Sequence, residues 1–189
     1  MIIIPKKILK IWIKILTELY KKKKSHLEHQ HNLLTSIIQA NKNNLYELWQ
    51  RYNLDKKLLS KFPFNTVQGV SSYLLGFHLT NYAKMKGLLQ RITEFNYDLN
   101  TILNNTEINV YDLGCGTAAL SQAFLESLYS YNGSIIKLHL IDKNQLFLKT
   151  AQKIITLTFA NQIHTRQYAK HIIDFCNFLK IINKKNINS

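Results

Sequence analysis

Over the first 95 positions, apolar residues recur three and four apart, the spacing of one face of an α-helix. Ile8, Ile11, Trp12, Ile15, Leu16 and Leu19 form the first such stripe. Lys6, Lys7, Lys10 and Lys14 interrupt it, so the segment lacks the ~18 uninterrupted apolar residues of a membrane span. It reads instead as an amphipathic helix that docks on the rest of the fold, followed by the solvated lysine run of residues 21–24. From residue 26 to about 61 the pattern stays helical through Leu33, Leu34, Ile37, Ile38, Leu45, Leu48, Trp49 and Tyr52. The Asn-Lys-Asn-Asn at 41–44 is the one expected break. The only prolines are Pro5 and Pro63, so KFPFNTVQG is the clearest loop, and it suggests a basic helical region at 1–63 ahead of a second unit at 64–189. A further helical stretch begins near Val70, with Ser71 or Ser72 expected to cap its start and an interruption expected near residues 76–80.

After the polar loop YDLNTILNNTE the period changes. INVYDL is a short β-branched run that predicts a fully buried strand, and TAALSQAFLESLYS predicts a helix. A turn at YNG, a strand at SIIKLHLID, a helix at NQLFLKTAQKIITLTFA, a weaker strand at QIHTRQY and a last helical stretch at AKHIIDFCNFLKII complete the chain. Strands alternating with helices of this length imply right-handed crossovers and a parallel sheet. The expected fold is therefore α/β, with about three parallel strands preceded by a helical N-terminal region.

Charge adds a partner to this picture. The formal charge is +14, from 16 basic against 7 acidic residues up to residue 108 and 9 against 4 beyond it. Such an excess favours a polyanion such as RNA, or an anionic membrane surface, although the abundance of Lys, Asn, Ile, Tyr and Phe also fits an AT-rich gene. Cys115 and Cys176 alone make neither a disulfide framework nor a zinc site, which points to a reducing compartment. The amphipathic, acid-poor start also has the texture of an organelle presequence, but its basic residues are all lysine.

The candidate chemistry sits at NVYDLGCGTAAL. In a parallel α/β sheet the ligand crevice lies at the carboxyl ends of the strands. Gly114 permits a sharp turn there, Gly116 leaves room for close backbone approach, and amides at the following helix start favour an anionic group. GCGTAA also satisfies a relaxed dinucleotide pattern, with Ala119 in the third place. Asp112, if it points into the crevice, opposes a pyrophosphate and attracts a cation. Asp142, 26 residues after Gly116 and at the end of the second predicted strand, is placed to accept hydrogen bonds from ribose hydroxyls; its other reading is a helix N-cap. Cys115 reads as filler of the turn, since no His or Lys partner for it can be placed.

VYDLGCGTAAL followed by LHLIDKN resembles the class I S-adenosylmethionine-dependent methyltransferases, with Ala118 at the third glycine of their first motif. The resemblance implies S-adenosyl-L-methionine as cofactor, bound through Asp112, Gly114, Gly116 and Asp142. More narrowly, SSYLLGFHLTNYAKMKGLLQRI before the motif and IDKNQLFLKTAQKII after it are similar to the methyltransferase-like proteins that assemble the small subunit of mitochondrial ribosomes, and to their bacterial relatives. Tyr73 matches that family's upstream Tyr, while Phe77 and Leu79 stand in its Arg and Pro places. The family implies ribosomal RNA or the small ribosomal subunit as partner, in a bacterial cytoplasm or a mitochondrion. Only about 75 residues follow the turn, enough for two further strands rather than a whole methyltransferase sheet. The outer edge of the first strand then needs a cover: a truncated gene product lacks it, a partner chain supplies it, or the N-terminal helices provide it. No Asn-Pro-Pro or Asp-Pro-Pro string and no cysteine pair for base chemistry is present, and two cysteines cannot hold the iron-sulfur centre of the narrower family. No catalytic residue is assigned. A non-catalytic RNA- or ribosome-binding scaffold and a dinucleotide-binding oxidoreductase fragment remain the competing readings.

Overall fold

The computed structural model describes residues 3–20, 27–54, 56–94, 107–128, 135–159 and 164–168. The turn expected at YNG, the last helical stretch, Cys176 and the lysine run lie outside them. The chain is mixed α/β and mostly helical. Helix α1, Lys6–Leu19, buries the predicted stripe Ile8, Ile11, Trp12, Ile15 and Leu16. No described helix is long and apolar enough to cross a membrane.

Helix α2, Leu27–Asn53, runs unbroken through residues 41–44, against expectation. The physical reason is Asn41, which is fully buried. Its amide donates to the Ile37 carbonyl at 2.7 Å and to the Tyr20 hydroxyl, while its carbonyl oxygen accepts from Ser72 Oγ at 3.3 Å. A satisfied buried amide locks the helix onto its neighbours instead of competing with it.

A short 3-10 helix, Lys56–Lys61, leads into the predicted loop. Thr66, not Ser71 or Ser72, caps helix α3, Val67–Tyr73: its hydroxyl accepts from Gly69 N at 3.1 Å and donates to the Pro63 carbonyl at 2.8 Å. The loop folds so tightly on α3 that a Cβ at Gly69 would lie 2.1 Å from the Pro63 oxygen. The interruption expected near residues 76–80 is a π-helical turn, Leu74–His78, continuous with helix α4, Leu79–Glu94. Trp12 of α1 donates from its indole nitrogen to the Leu74 carbonyl at 2.9 Å, so the widened turn is held from outside.

Strands β1, Glu107–Leu113, β2, Ile135–Ile141, and β3, His164–Tyr168, form a parallel sheet in the order β1-β2-β3. Asp112 lies opposite Leu140, and Tyr111 opposite His139, whose rings stack 4.3 Å apart. Helices α5, Ala119–Leu128, and α6, Gln145–Phe159, complete the crossover units. Ile108, Ile136, Leu138 and Leu140 share one core with Leu125 of α5 and Leu148, Ala151 and Ile155 of α6. The expected full burial of β1 does not hold: only Ile108 is buried, between exposed Glu107 and Asn109, while Val110, Tyr111 and Asp112 are half-buried and Leu113 is exposed. No described strand pairs with its outer edge.

A second cluster joins Ile11, Trp12, Ile15 and Leu16 of α1 to Val70 and Leu74 and to Phe147 and Ile154 of α6. Lys7 Nζ reaches the Thr158 carbonyl at 2.6 Å, and Lys153 pairs with Glu18 at 2.5 Å. The first helix therefore docks on the α/β half.

Candidate functional site

The turn between β1 and α5 takes a left-handed backbone at three alternate residues: Gly114 at φ 68°, Gly116 at φ 51° and Ala118 at φ 58°. Glycine adopts this region freely, whereas a residue with a Cβ meets a penalty of about 1–2 kcal/mol. Ala118 is fully buried in the sheet core and keeps the conformation nonetheless.

The turn is fastened to the end of β2. Gly114 N and Cys115 N both donate to the Ile141 carbonyl, at 2.8 and 3.0 Å, and Ala118 N donates to the Cys115 carbonyl at 2.7 Å. Gly116 N donates to Asp142 Oδ2 at 2.9 Å, while Asp142 Oδ1 accepts from Asn144 N at 2.8 Å. These four turn amides are thus engaged within the protein and do not form an empty anion cradle. The N-cap of α6 is Asn144, whose Oδ1 accepts from Leu146 N and Phe147 N at 2.9 and 3.2 Å. Asp142 is therefore not the cap; it bridges the two strand ends, and each carboxylate oxygen keeps lone-pair capacity for another donor.

Asp112 is placed differently from the expectation. Its Oδ2 accepts from Ser121 Oγ at 2.5 Å, and the Ser121 backbone amide also bonds the carboxylate, so it satisfies the first turn of α5. It is not among the described residues that line the cleft. Burial pushes its carboxyl above the usual carboxylate range, against the lowering effect of the Ser121 hydrogen bonds. The helix N-terminus expected to receive a ligand anion receives this side chain instead.

The cleft itself opens between the turn, the 56–66 segment and the start of α6, with a volume of about 1290 Å³. That exceeds the roughly 300–1,000 Å³ of common small-molecule pockets. Gly114, Gly116 and Asp142 line it, together with Tyr52, Phe62, Phe64, Tyr73 and Phe147 and three exposed lysines, Lys61, Lys143 and Lys149. None of those lysines forms an ion pair among the described residues. The cleft thus carries both signs of charge against an aromatic wall. The chain matches no family model, no curated protein and no solved structure.

Periodicity did not single out two groups behind the turn. His78, the last residue of the π turn, is buried, with Nδ1 2.8 Å from Thr117 Oγ1 and Nε2 3.0 Å from Gln122 Oε1. Gln122 in turn donates to Thr158 Oγ1 at 2.8 Å, which assigns Nε2–H as the donor of a neutral ring. Burial pushes the His78 pKa down to about 4. The second is Tyr73: a Cβ on Gly116 would lie 3.4 Å from its Cε1 and from its hydroxyl oxygen. For Tyr73 the available signal was its match to the upstream Tyr of the family the sequence resembles; nothing in the local pattern pointed to His78. Cys115 is buried, and burial followed by the charges of Asp112 and Asp142 raises its thiol, which removes it as a nucleophile.

Proposed function

We propose that the chain binds S-adenosyl-L-methionine in this cleft and is a methyltransferase-like protein acting on or with ribosomal RNA of the small subunit. The observation that carries the reading is the run of three alternate left-handed residues, Gly114, Gly116 and Ala118, beside an acid at the end of the neighbouring parallel strand. Ala118 occupies the third-glycine place of the methyltransferase motif with a glycine-like backbone, so this mild departure from the motif keeps the shape of the turn. The parallel order of the three strands is compatible with one half of such a sheet.

The residues present fit the group. Asp142 has acceptor capacity for ribose hydroxyls, Gly114 and Gly116 let the backbone approach, and a cleft of mixed charge suits a ligand with a carboxylate and two cationic centres. A pyrophosphate fits less well. The Gly116 amide that would receive it already serves Asp142, whose charge would oppose it. When bound, the group supplies an electrophilic methyl. The chain's own residues orient it through Asp142 and the turn, while Asp112 shapes that turn by holding the start of α5. RNA as the acceptor rests on the +14 charge and the three lysines on the rim.

A non-catalytic ribosome- or RNA-binding factor is the second reading, favoured by the Tyr73 ring lying over the open side of Gly116. Calorimetric titration with S-adenosyl-L-methionine is the test. Heat of binding that is lost in Asp142→Ala supports the cofactor site; no heat, or unchanged affinity in the variant, refutes it. Binding without methyl transfer to ribosomal RNA favours the scaffold, and tighter binding of NAD favours an oxidoreductase.

A further inference from the structure

Helices α1 and α6 carry six lysines between them and one acidic residue, Glu18. Two contacts fix how they lie. Lys7 Nζ meets the Thr158 carbonyl near the end of α6, and Glu18 meets Lys153 near its middle, so α1 runs back along α6 with its last turns toward the cleft. Lys6, Lys10 and Lys14 recur four apart, about 6 Å per step along the helix axis. At roughly 100° per residue, Lys10 and Lys14 lie within about 80° of Lys7 and Glu18, the side of α1 that borders α6. Lys149 and Lys153 form the matching row on the exposed face of α6, and Lys149 stands at the cleft rim. Lys6 and Lys10 are exposed and Lys14 is half-buried; none of the three forms an ion pair among the described residues. Glu18, the one acid on this ledge, is answered by Lys153.

We propose that the ledge is an interaction surface for the phosphate backbone of RNA, running along α1 and α6 to the cleft. The inference rests on the RNA half of the reading above and is independent of the cofactor. Ammonium groups in rows, with almost no acid among them, displace the counterions condensed on a polyanion, and each contact adds affinity without reading sequence. An anionic membrane offers the same sign of charge but fits the ledge less well. An interfacial helix lays its apolar face into the bilayer. Here that face, Ile8, Ile11, Trp12, Ile15 and Leu16, is buried in the fold, so the face left to a partner is the lysine one.

The experiment titrates a fluorescently labelled oligouridine with the full chain, without cofactor, over a range of salt, and follows anisotropy. Changing Lys10→Gln together with Lys14→Gln removes two phosphate contacts. The slope of log affinity against log salt should become shallower by about 1.4, at about 0.7 per contact with a single strand, and the dissociation constant should rise about 25-fold near ~0.1 M salt. Lys84→Gln with Arg91→Gln is the charge-matched control, since both residues are exposed on α4, on the face opposite buried Tyr82 and Leu89. That pair should move the slope less than half as far. If the α1 variant does not fold, acetylation of the native chain replaces it: oligouridine should shield Lys6, Lys10 and Lys14 more than Lys84. Equal changes of slope in the two pairs, an unchanged slope in the α1 pair, or equal shielding overturns the inference while leaving RNA binding standing. A native chain that does not bind oligouridine overturns the inference and the RNA reading together, and binding to phosphatidylserine vesicles in its place identifies a membrane surface. The cofactor titration is unaffected by any of these results.

Discussion

Acidification should destabilise this protein through one histidine. His78 is neutral in the fold, with a pKa pushed down to about 4 by burial, against 6.5 for the exposed ring. Below pH 6.5 the unfolded chain takes up a proton there that the folded chain refuses, so stability falls with pH down to about 4 and then levels off. The lowering corresponds to about 3 kcal/mol at 1.36 kcal/mol for each pH unit, a sizeable share of the roughly 5–15 kcal/mol of an ordinary domain. The opposing contribution, the hydrogen bond to Gln122, is the smaller cause and does not reverse the sign. Urea unfolding at pH 7.5, 6.5, 5.5 and 4.5, on the native chain and on His78→Gln, isolates the term. The variant is expected to be less stable at pH 7.5, because Thr117 and Gln122 lose well-placed partners. Its disadvantage should shrink by about 2.5 kcal/mol between pH 7.5 and 4.5, which stops short of the folded pKa. The six other histidines cancel in the difference between the two chains. Parallel pH profiles would refute the reasoning and mean that water or a counter-charge reaches the His78 ring.

Gly69→Ala forces a Cβ to 2.1 Å from a backbone oxygen, which the loop cannot yield cheaply, and should cost about 2–3 kcal/mol, seen as a melting point lower by roughly 4–12 °C. Asn41→Leu removes the acceptor of Ser72 and the donor to Ile37 and Tyr20 within a buried site; a loss of about 2–3 kcal/mol in urea unfolding is expected, against little change for exposed Asn43→Leu. Asp112→Asn should behave oppositely with pH. Because the folded carboxyl has a raised pKa, its charge costs stability as pH rises through that value, so the amide should gain on the native chain at pH 7 and lose the advantage at pH 4. Urea midpoints at the two pH values check it.

The α1 stripe, the parallel strands and the glycine turn were legible because each rests on a local regularity: a helical period, a β-branched run, or glycine ahead of a helix. Asn41 defeated the reading because a string of polar residues looks the same whether it faces water or a satisfied buried network. The π turn was half legible. The pattern faltered near Gly76, but one extra residue per turn changes phase without breaking the helix, and only the Trp12 contact with Leu74 fixes where. Gly114, Gly116 and Asp142 came together at the cleft as their spacing implied. Asp112 did not reach it, since which way a carboxylate turns at a strand end depends on a neighbour nine residues later, Ser121, that no motif specifies.

Ala118 carries a consequence for timing. A buried residue held left-handed against its own preference means that the shape of the turn is imposed by the sheet core and by the amides tied to Ile141 and Asp142. The conformational entropy of forming that surface is lost when the chain folds. A ligand arriving there would meet a finished backbone, so its affinity would not be diminished by having to order the turn, and substitutions that loosen α5 from β2 would weaken binding without touching the ligand.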